Sequence, residues 1–136
     1  MTRALARWIL ALALGAIGVL HFVGTRGFRV VVPDWATRLT RLDKNDIVIA
    51  SGAAEIALAA GLIALPKERQ RVGWATAAFF VAVLPGNIHQ WRTRRSTPGL
   101  DTDARRFGRL FLQPVLVVWA LWATTEPARK TTRRRR

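Results

Sequence analysis

One acidic side chain, Glu55, lies in the interior of an apolar run that extends from Asp46 to Leu65. At roughly 1.5 Å per residue this run reaches about 30 Å, the thickness of a bilayer's hydrocarbon core. An ionisable group at that depth is costly, and such groups usually face a polar partner inside the protein. We therefore expect Glu55 to mark a polar site within a transmembrane helix.

Three other polar side chains, His21, Asn87 and Gln113, lie within three further apolar stretches. If the four stretches cross the membrane in alternating directions, these three side chains and Glu55 all lie in the same half of it. Their distances from one face range from about 5 Å for His21 to about 13 Å for Glu55. Polar residues in lipid are expected to face the bundle interior and find one another. We predict one polar cluster in this half of the bilayer. Its predicted rim consists of Ser51, His89 and Gln90.

This cluster has two interpretations. In the first, the side chains only join helices, with His21 donating a hydrogen bond to Glu55 and the amides filling the remaining acceptor positions. Such bonds average about 0.6 kcal/mol in membrane proteins, which is a weak reason to bury a carboxylate. In the second, which we favour, the cluster binds the polar headgroup of a quinone or a similar small amphiphile, and His21 with Glu55 relays a proton. The pocket residues of this second interpretation are His21, Ser51, Glu55, Asn87 and Gln113.

Metal and thiol chemistry has less support. His21 and His89 end their stretches on the same side and could ligate a haem, and His89 with Asp101 and Asp103 could bind a divalent metal. Neighbouring arginines oppose the divalent metal, and hydrogen bonding explains the histidines, so no metal site is predicted. The chain has no cysteine, which excludes disulfides, thiol redox chemistry and iron–sulfur ligation.

Four apolar stretches predict the elements that position the cluster. They are about Trp8 to Gly24, Ile47 to Leu65, Val72 to Trp91 and Phe107 to Thr124. Each is long enough for a membrane-spanning helix. Between the first two, Trp35, Leu39 and Leu42 recur at helical spacing beside arginines, which predicts an interfacial helix. The predicted fold class is all-α, a four-helix transmembrane bundle with a short interfacial helix between the first and second spans.

Small residues predict where the helices pack. Ala11 and Gly15 form a pair spaced by four residues in the first span, and Ala53, Ala57 and Gly61 form a ladder in the second. Small residues at this spacing let a neighbouring helix approach closely. We therefore expect the packing face of the second span to lie beside the face that carries Glu55, and not to coincide with it.

The charges indicate a membrane environment. The formal net charge is +14, and most of the 22 Lys and Arg residues flank the apolar stretches, as expected beside lipid headgroups. Membrane lipids are therefore predicted partners, whereas nucleic acid is not, although the basic residues Arg133 to Arg136 resemble a nucleic-acid-binding tail. We predict a membrane domain over residues 1–125 and a basic disordered tail over 126–136.

Several short segments resemble the DoxX family of small membrane proteins. They are Gly18 to Phe22, Phe28, Val31 to Pro33, Ser51, Gly52, Glu55, Ile56, Pro85 to Ile88, Arg109, Leu110, Leu112, Gln113, Trp119 and Trp122. The resemblance implies a four-helix membrane bundle. It also implies, as for some family members, a link to quinone-dependent redox systems, such as the small membrane subunit of thiosulfate:quinone oxidoreductase. Gly24 to Gly27 stands where many relatives have a proline, and Gly86 where alanine is more usual.

The residues and the resemblance together lead to one expectation and one alternative. We expect a multi-pass protein of the bacterial inner membrane that binds a quinone or similar amphiphile as a membrane subunit of a redox system, with a soluble or membrane redox partner. The densely cationic second turn and the tetra-arginine tail favour cytoplasmic termini. The alternative is a non-enzymatic membrane protein that transports, senses or anchors a small molecule or a soluble partner. The residues leave open whether the protein is an enzyme.

Overall fold

The structure is a computed structural model that describes residues 1–97 and 99–125. In these residues it contains no strand, and its elements are α1 (Arg3–Val23), α2 (Thr25–Phe28), a 3₁₀ turn (Arg29–Val31), α3 (Asp34–Thr40), α4 (Lys44–Ala64), α5 (Arg69–Arg92) and α6 (Asp103–Thr124). The predicted all-α class is confirmed. The predicted basic tail, residues 126–136, lies outside the described residues.

Four of the helices, α1, α4, α5 and α6, are long and apolar enough to cross a membrane. Large apolar side chains such as Leu12 and Val118 are exposed on their outer faces, each by 65%. Such surfaces are expected of a protein whose solvent is lipid. The chain is therefore a multi-pass membrane protein, and the predicted four-helix bundle is confirmed.

Side-chain caps begin three of the four spans. The capping residues are Thr2, Asp43 and Thr102, whose side-chain oxygens each accept the backbone N–H three residues further on. A cap of this kind pairs one of the N–H groups that the first helical turn leaves without a partner. At its other end α4 stops before Pro66, because a residue that precedes proline is disfavoured in helical geometry.

The spans form two close pairs. α1 packs along α4 and α5 packs along α6, with less extensive contact between the pairs. The apolar core joins the pairs in the half of the bundle that holds the start of α1 and the end of α6. It consists of Leu10, Ala11, Leu14, Ala59, Leu62, Ala77, Phe80 and Ala120. The polar side chains predicted to cluster lie in the opposite half.

Two glycines let α1 and α4 come close together. A Cβ on Gly52 would lie 2.7 Å from the Cβ of His21 and 2.8 Å from the carbonyl oxygen of Gly18. A Cβ on Gly18 would lie 2.9 Å from the carbonyl oxygen of Gly52. Such distances are shorter than van der Waals contact, so the crossing requires both residues to lack a side chain.

This crossing differs from the predicted small-residue ladder. Ala53 and Ala57 are exposed, whereas Gly52 and Glu55 lie on the buried face of α4. The prediction that the packing face lies beside the polar face is therefore wrong. The reason is that the closest approach of α1 falls at Gly52, less than one helical turn from Glu55, so one face serves both purposes.

The connection between α1 and α4 folds over the end of the bundle, and we call its residues 25–40 the roof. The roof packs on α1, α4 and α5, and its residues Val32 and Pro33 are buried. Lys44 Nζ lies 2.6 Å from Asp34 Oδ1, which joins α3 to the start of α4. The Lys44 ammonium holds the pKa of the Asp34 carboxyl below its usual range.

The predicted interfacial helix is present as α3, although it is shorter than the pattern from Trp35 to Leu42. Trp35 is 52% and Leu39 76% exposed, as a helix lying along a membrane surface requires. The helix ends at Thr40 because Arg41 adopts a left-handed backbone conformation with φ 58°. Leu42 therefore lies beyond it.

Candidate functional site: a polar cavity inside the bundle

A cavity of about 290 Å³ lies between the four spans beneath the roof. Its polar lining consists of His21, Ser51, Glu55, Asn87, Arg109 and Gln113. All five residues predicted for the pocket therefore line one space, with at least one contributed by each span. The remaining lining is largely apolar, as in most small-molecule sites.

His21 and Glu55 form the centre of this site. His21 Nδ1 lies 3.0 Å from Glu55 Oε2 and 2.8 Å from the carbonyl oxygen of Ile17. A single Nδ1 proton cannot point well at both acceptors, and it is directed at Ile17. Glu55 Oε2 is left without a well-aligned hydrogen bond from any described residue. This oxygen is free to accept a hydrogen bond from a ligand.

The local sequence explains why these two side chains meet. Gly18 leaves space beside α1 in which Glu55 can lie, since a Cβ at Gly18 would be 3.1 Å from the Cβ of Glu55. Phe28 of the roof stacks on the His21 imidazole, with the ring centroids 3.9 Å apart. This stacking restrains the plane of the imidazole. The pair is therefore held by the helix crossing on one side and by the roof on the other.

Two buried amides face the same cavity without using all their polar atoms. Asn87 is 3% and Gln113 6% exposed. Asn87 Nδ2 and Gln113 Oε1 have no hydrogen-bond partner among the described residues. A buried polar group left unpaired costs about 1–3 kcal/mol. The interpretation in which these amides only join helices does not account for this, because the atoms that would join them are unpaired.

Arg109 is the lining residue that the sequence interpretation missed. Its Nη1 donates to Gln90 Oε1 at 3.2 Å, and its charge attracts the Glu55 carboxylate. The missed signal is the spacing of four residues between Arg109 and Gln113, which places both on one stripe of α6. The sequence interpretation instead treated Arg109 as one of the basic residues that flank the apolar stretches. The cavity thus contains a guanidinium, a carboxyl group and an imidazole.

His89 and Gln90, predicted at the rim, do not line the cavity. Gln90 Nε2 donates to the carbonyl oxygen of Arg95 and to Thr97 Oγ1, both at 3.2 Å. Gln90 therefore secures the connection between α5 and α6. His89 follows Asn87 by two residues, or about 200° around a helix with 3.6 residues per turn, so it points away from the cavity. The prediction that both residues lie at the rim of the cavity rested on depth in the membrane alone, and it is wrong.

The residues considered for metals do not come together. Within the described part of the chain, no group of three or more His, Asp or Glu side chains could hold a metal ion. Asp101 pairs with Arg105 and Asp103 with Arg106, each at 2.8 Å. His89 does not line the cavity that contains His21, so the arrangement gives no support to a haem held between the two histidines.

A second groove, of about 530 Å³ and almost wholly apolar, lies between α5 and α6. Phe80 and Gln113 contribute to the lining of both spaces. Phe80 and Gln113 are each 6% exposed, and together they form the wall between the groove and the polar cavity. Apart from Gln113 the groove offers no polar side chain, which is typical of a surface covered by acyl chains.

Comparison with known proteins identifies the family. Residues 10–124 match the family described as Domain of unknown function (DUF8561), and the chain belongs to that family. No curated protein and no solved structure matches the chain. The matched region includes the roof and every polar residue of the cavity lining. The resemblance to the DoxX family stays a prediction.

Proposed function

We propose that this member of a family of unknown function is a protein of the bacterial inner membrane whose polar cavity binds the headgroup of a quinone or similar small amphiphile. The observation that carries the proposal is a set of three buried polar atoms with no hydrogen-bond partner among the described residues: Glu55 Oε2, Asn87 Nδ2 and Gln113 Oε1. Buried polar atoms in native proteins nearly always have partners. A ligand with both acceptor and donor groups would pair all three.

A quinone ring supplies acceptor groups when oxidised and donor groups when reduced, so its two redox states together match the unpaired atoms. Its carbonyl oxygens would accept hydrogen bonds from Asn87 Nδ2 and from the Arg109 guanidinium. The hydroxyl groups of the reduced quinol would donate to Glu55 Oε2 and Gln113 Oε1. The cavity volume of about 290 Å³ is at the lower end of small-molecule sites, which suits a single substituted ring.

The His21–Glu55 pair would serve as the proton relay. Reduction of a quinone to a quinol consumes two electrons and two protons. Imidazole changes its charge near neutral pH, and the Glu55 carboxylate, 3.0 Å from His21 Nδ1, can accept the Nδ1 proton of the imidazolium and then return it as the carboxylic acid. Under this proposal the electrons come from a redox partner, so the chain acts as a membrane subunit, with membrane lipids around its spans. The alternative of a carrier, sensor or anchor has no separate observation in its favour.

Matched substitutions of two glutamates test the proposal. Glu55→Gln removes the carboxylate from the cavity, whereas Glu68→Gln removes an exposed one that pairs with Arg71. We expect Glu55→Gln to weaken binding of a radiolabelled short-chain benzoquinol, kept reduced, by at least about tenfold in equilibrium dialysis of the purified protein. We expect Glu68→Gln to bind like the wild type.

Two results would contradict the proposed function. One is equal quinol affinity of the two variants, and the other is no quinol binding by the wild type. Thermal unfolding of both variants is the control, since a loss of binding has meaning only if Glu55→Gln folds as well as Glu68→Gln. Lipid extracts of the purified wild type provide a second readout, because they should be enriched in quinone.

A further inference from the structure

We propose that the ligand enters the cavity sideways from the bilayer through the seam between α1 and α6, and that its apolar chain stays in that seam. This inference rests on the proposed function. It narrows the ligand to an amphiphile with one compact polar ring and one apolar chain.

The roof covers the cavity toward the aqueous face. Phe28 stacks on His21, and Val31 approaches Gly86 so closely that a Cβ there would lie 3.2 Å from Val31 Cγ1. These contacts attach the roof to α1 and α5, and the roof also packs on α4. Among the described residues it makes no comparably extensive contact with α6. The side next to α6 is therefore the least covered.

Two exposed apolar residues mark an opening on that side. Ile17 of α1 and Leu112 of α6 both line the cavity, yet they are 43% and 51% exposed. By helical rise, Ile17 lies about 9 Å from the end of α1 and Leu112 about 13 Å from the start of α6. Both depths are inside the hydrocarbon layer. Side chains that line a cavity and are also exposed there indicate an opening to lipid.

The hydrogen bonds between α1 and α6 lie at the opposite end of the bundle. Trp119 Nε1 donates to the carbonyl oxygen of Ala6 at 3.1 Å, and Arg3 Nη1 donates to the carbonyl oxygen of Thr125 at 3.0 Å. In the half that holds the cavity, no hydrogen bond joins α1 to α6 within the described residues. The seam can therefore separate there while the other end stays closed.

The size of the cavity requires such an exit. Its volume of about 290 Å³ is at the lower end for small-molecule sites, which suits a ring but not a ring with a long chain. The chain of a bound amphiphile must then leave the cavity, and a seam lined by Ile17, Leu112 and Leu116 allows this without burying polar atoms. On α6, Arg109 and Gln113 lie close to Leu112, where they would meet an entering headgroup.

A pair of tryptophan substitutions on α6 tests the route. Leu112→Trp would fill the seam, whereas Val115→Trp adds the same side chain at a residue that is 55% exposed and lines neither space. The probes are a radiolabelled benzoquinone with a decyl chain and the same ring with a methyl group, in vesicles of phosphatidylethanolamine and phosphatidylglycerol. We expect Leu112→Trp to weaken binding of the decyl probe by at least about tenfold and of the methyl probe by less than about threefold. Val115→Trp should change neither.

Other outcomes would overturn the route. Equal binding of the decyl probe by the two variants would refute entry through the seam but would not contradict the headgroup site. Equal loss of both probes in Leu112→Trp would have the same meaning. Failure of both probes on the wild type would refute the proposed function as well.

A second measurement needs no variant. A decyl probe with a terminal diazirine should label the wild type on α1 and α6 near Ile17 and Leu112, and unlabelled probe should compete. Competed labels at Phe107 and Phe111, in the groove between α5 and α6, would refute the seam.

Discussion

Two buried glutamines show how a polar side chain can hold the fold or serve a site. Gln90 uses both ends of its amide, accepting from Arg109 and donating to Arg95 and Thr97. Gln113, which lines the cavity, has an oxygen that no described residue pairs. Because an unpaired buried atom lowers stability, Gln113 is better explained by ligand binding than by packing.

Substitution of each glutamine by leucine separates these roles. Gln90→Leu should lower the free energy of unfolding by about 1–3 kcal/mol, since its partners lose their hydrogen bonds. Gln113→Leu should leave the midpoint of thermal unfolding in detergent unchanged or higher, and should weaken quinol binding. If Gln113→Leu destabilises the protein as much as Gln90→Leu, the Gln113 amide is structural and its part in the site is wrong.

At the level of the helices, one close crossing decides where the polar groups meet. Gly18 and Gly52 bring α1 and α4 together, so that His21 and Glu55 face each other close to the crossing. Helix association in lipid lacks a hydrophobic driving force and depends on close packing. The crossing is therefore a source of stability for the bundle and also the device that assembles the His21–Glu55 pair.

A methyl group at the crossing should disturb both the packing of α1 on α4 and the His21–Glu55 pair. Gly52→Ala would place a Cβ 2.8 Å from the backbone carbonyl of Gly18, and we expect it to lower the free energy of unfolding by about 1–3 kcal/mol. Gly108→Ala in α6 is the control, because a Cβ there meets nothing within 4 Å. It should be neutral or stabilising by up to about 1 kcal/mol. Unfolding by denaturant in mild detergent measures both, and equal effects would argue against the crossing.

The whole molecule is divided into an apolar half and a polar half. The core around Leu10, Leu62 and Ala120 closes the half that holds the start of α1 and the end of α6, and the cavity and the roof occupy the other. The tight apolar half keeps the four spans together. The polar half can then leave space between the helix pairs for a ligand.

Cysteine labelling tests the proposed orientation of these halves. The chain has no native cysteine, so Lys67→Cys in the turn between α4 and α5 and Thr93→Cys after α5 report single sites, both exposed. With cytoplasmic termini, a membrane-impermeant maleimide added to spheroplasts should label Thr93→Cys, and should label Lys67→Cys only after lysis. The reverse result would invert the orientation, and labelling of both before lysis would contradict a four-span topology.

The amino-acid sequence by itself was sufficient to predict the four spans. It was also sufficient to predict that His21, Ser51, Glu55, Asn87 and Gln113 lie at a similar depth. The reason is that a lipid environment requires hydrogen-bonded helices, whose rise per residue is constant, so position along the chain converts directly into depth.

Only the tertiary structure decided which way each helix faces. The crossing at Gly52, the entry of Arg109 into the cavity and the departure of His89 and Gln90 from it all depend on rotation about a helix axis. Rotation is set by contacts between distant parts of the chain, as is the path that brings Phe28 onto His21. Hydropathy and spacing constrain depth strongly but constrain these contacts only weakly, because several faces of each span are apolar.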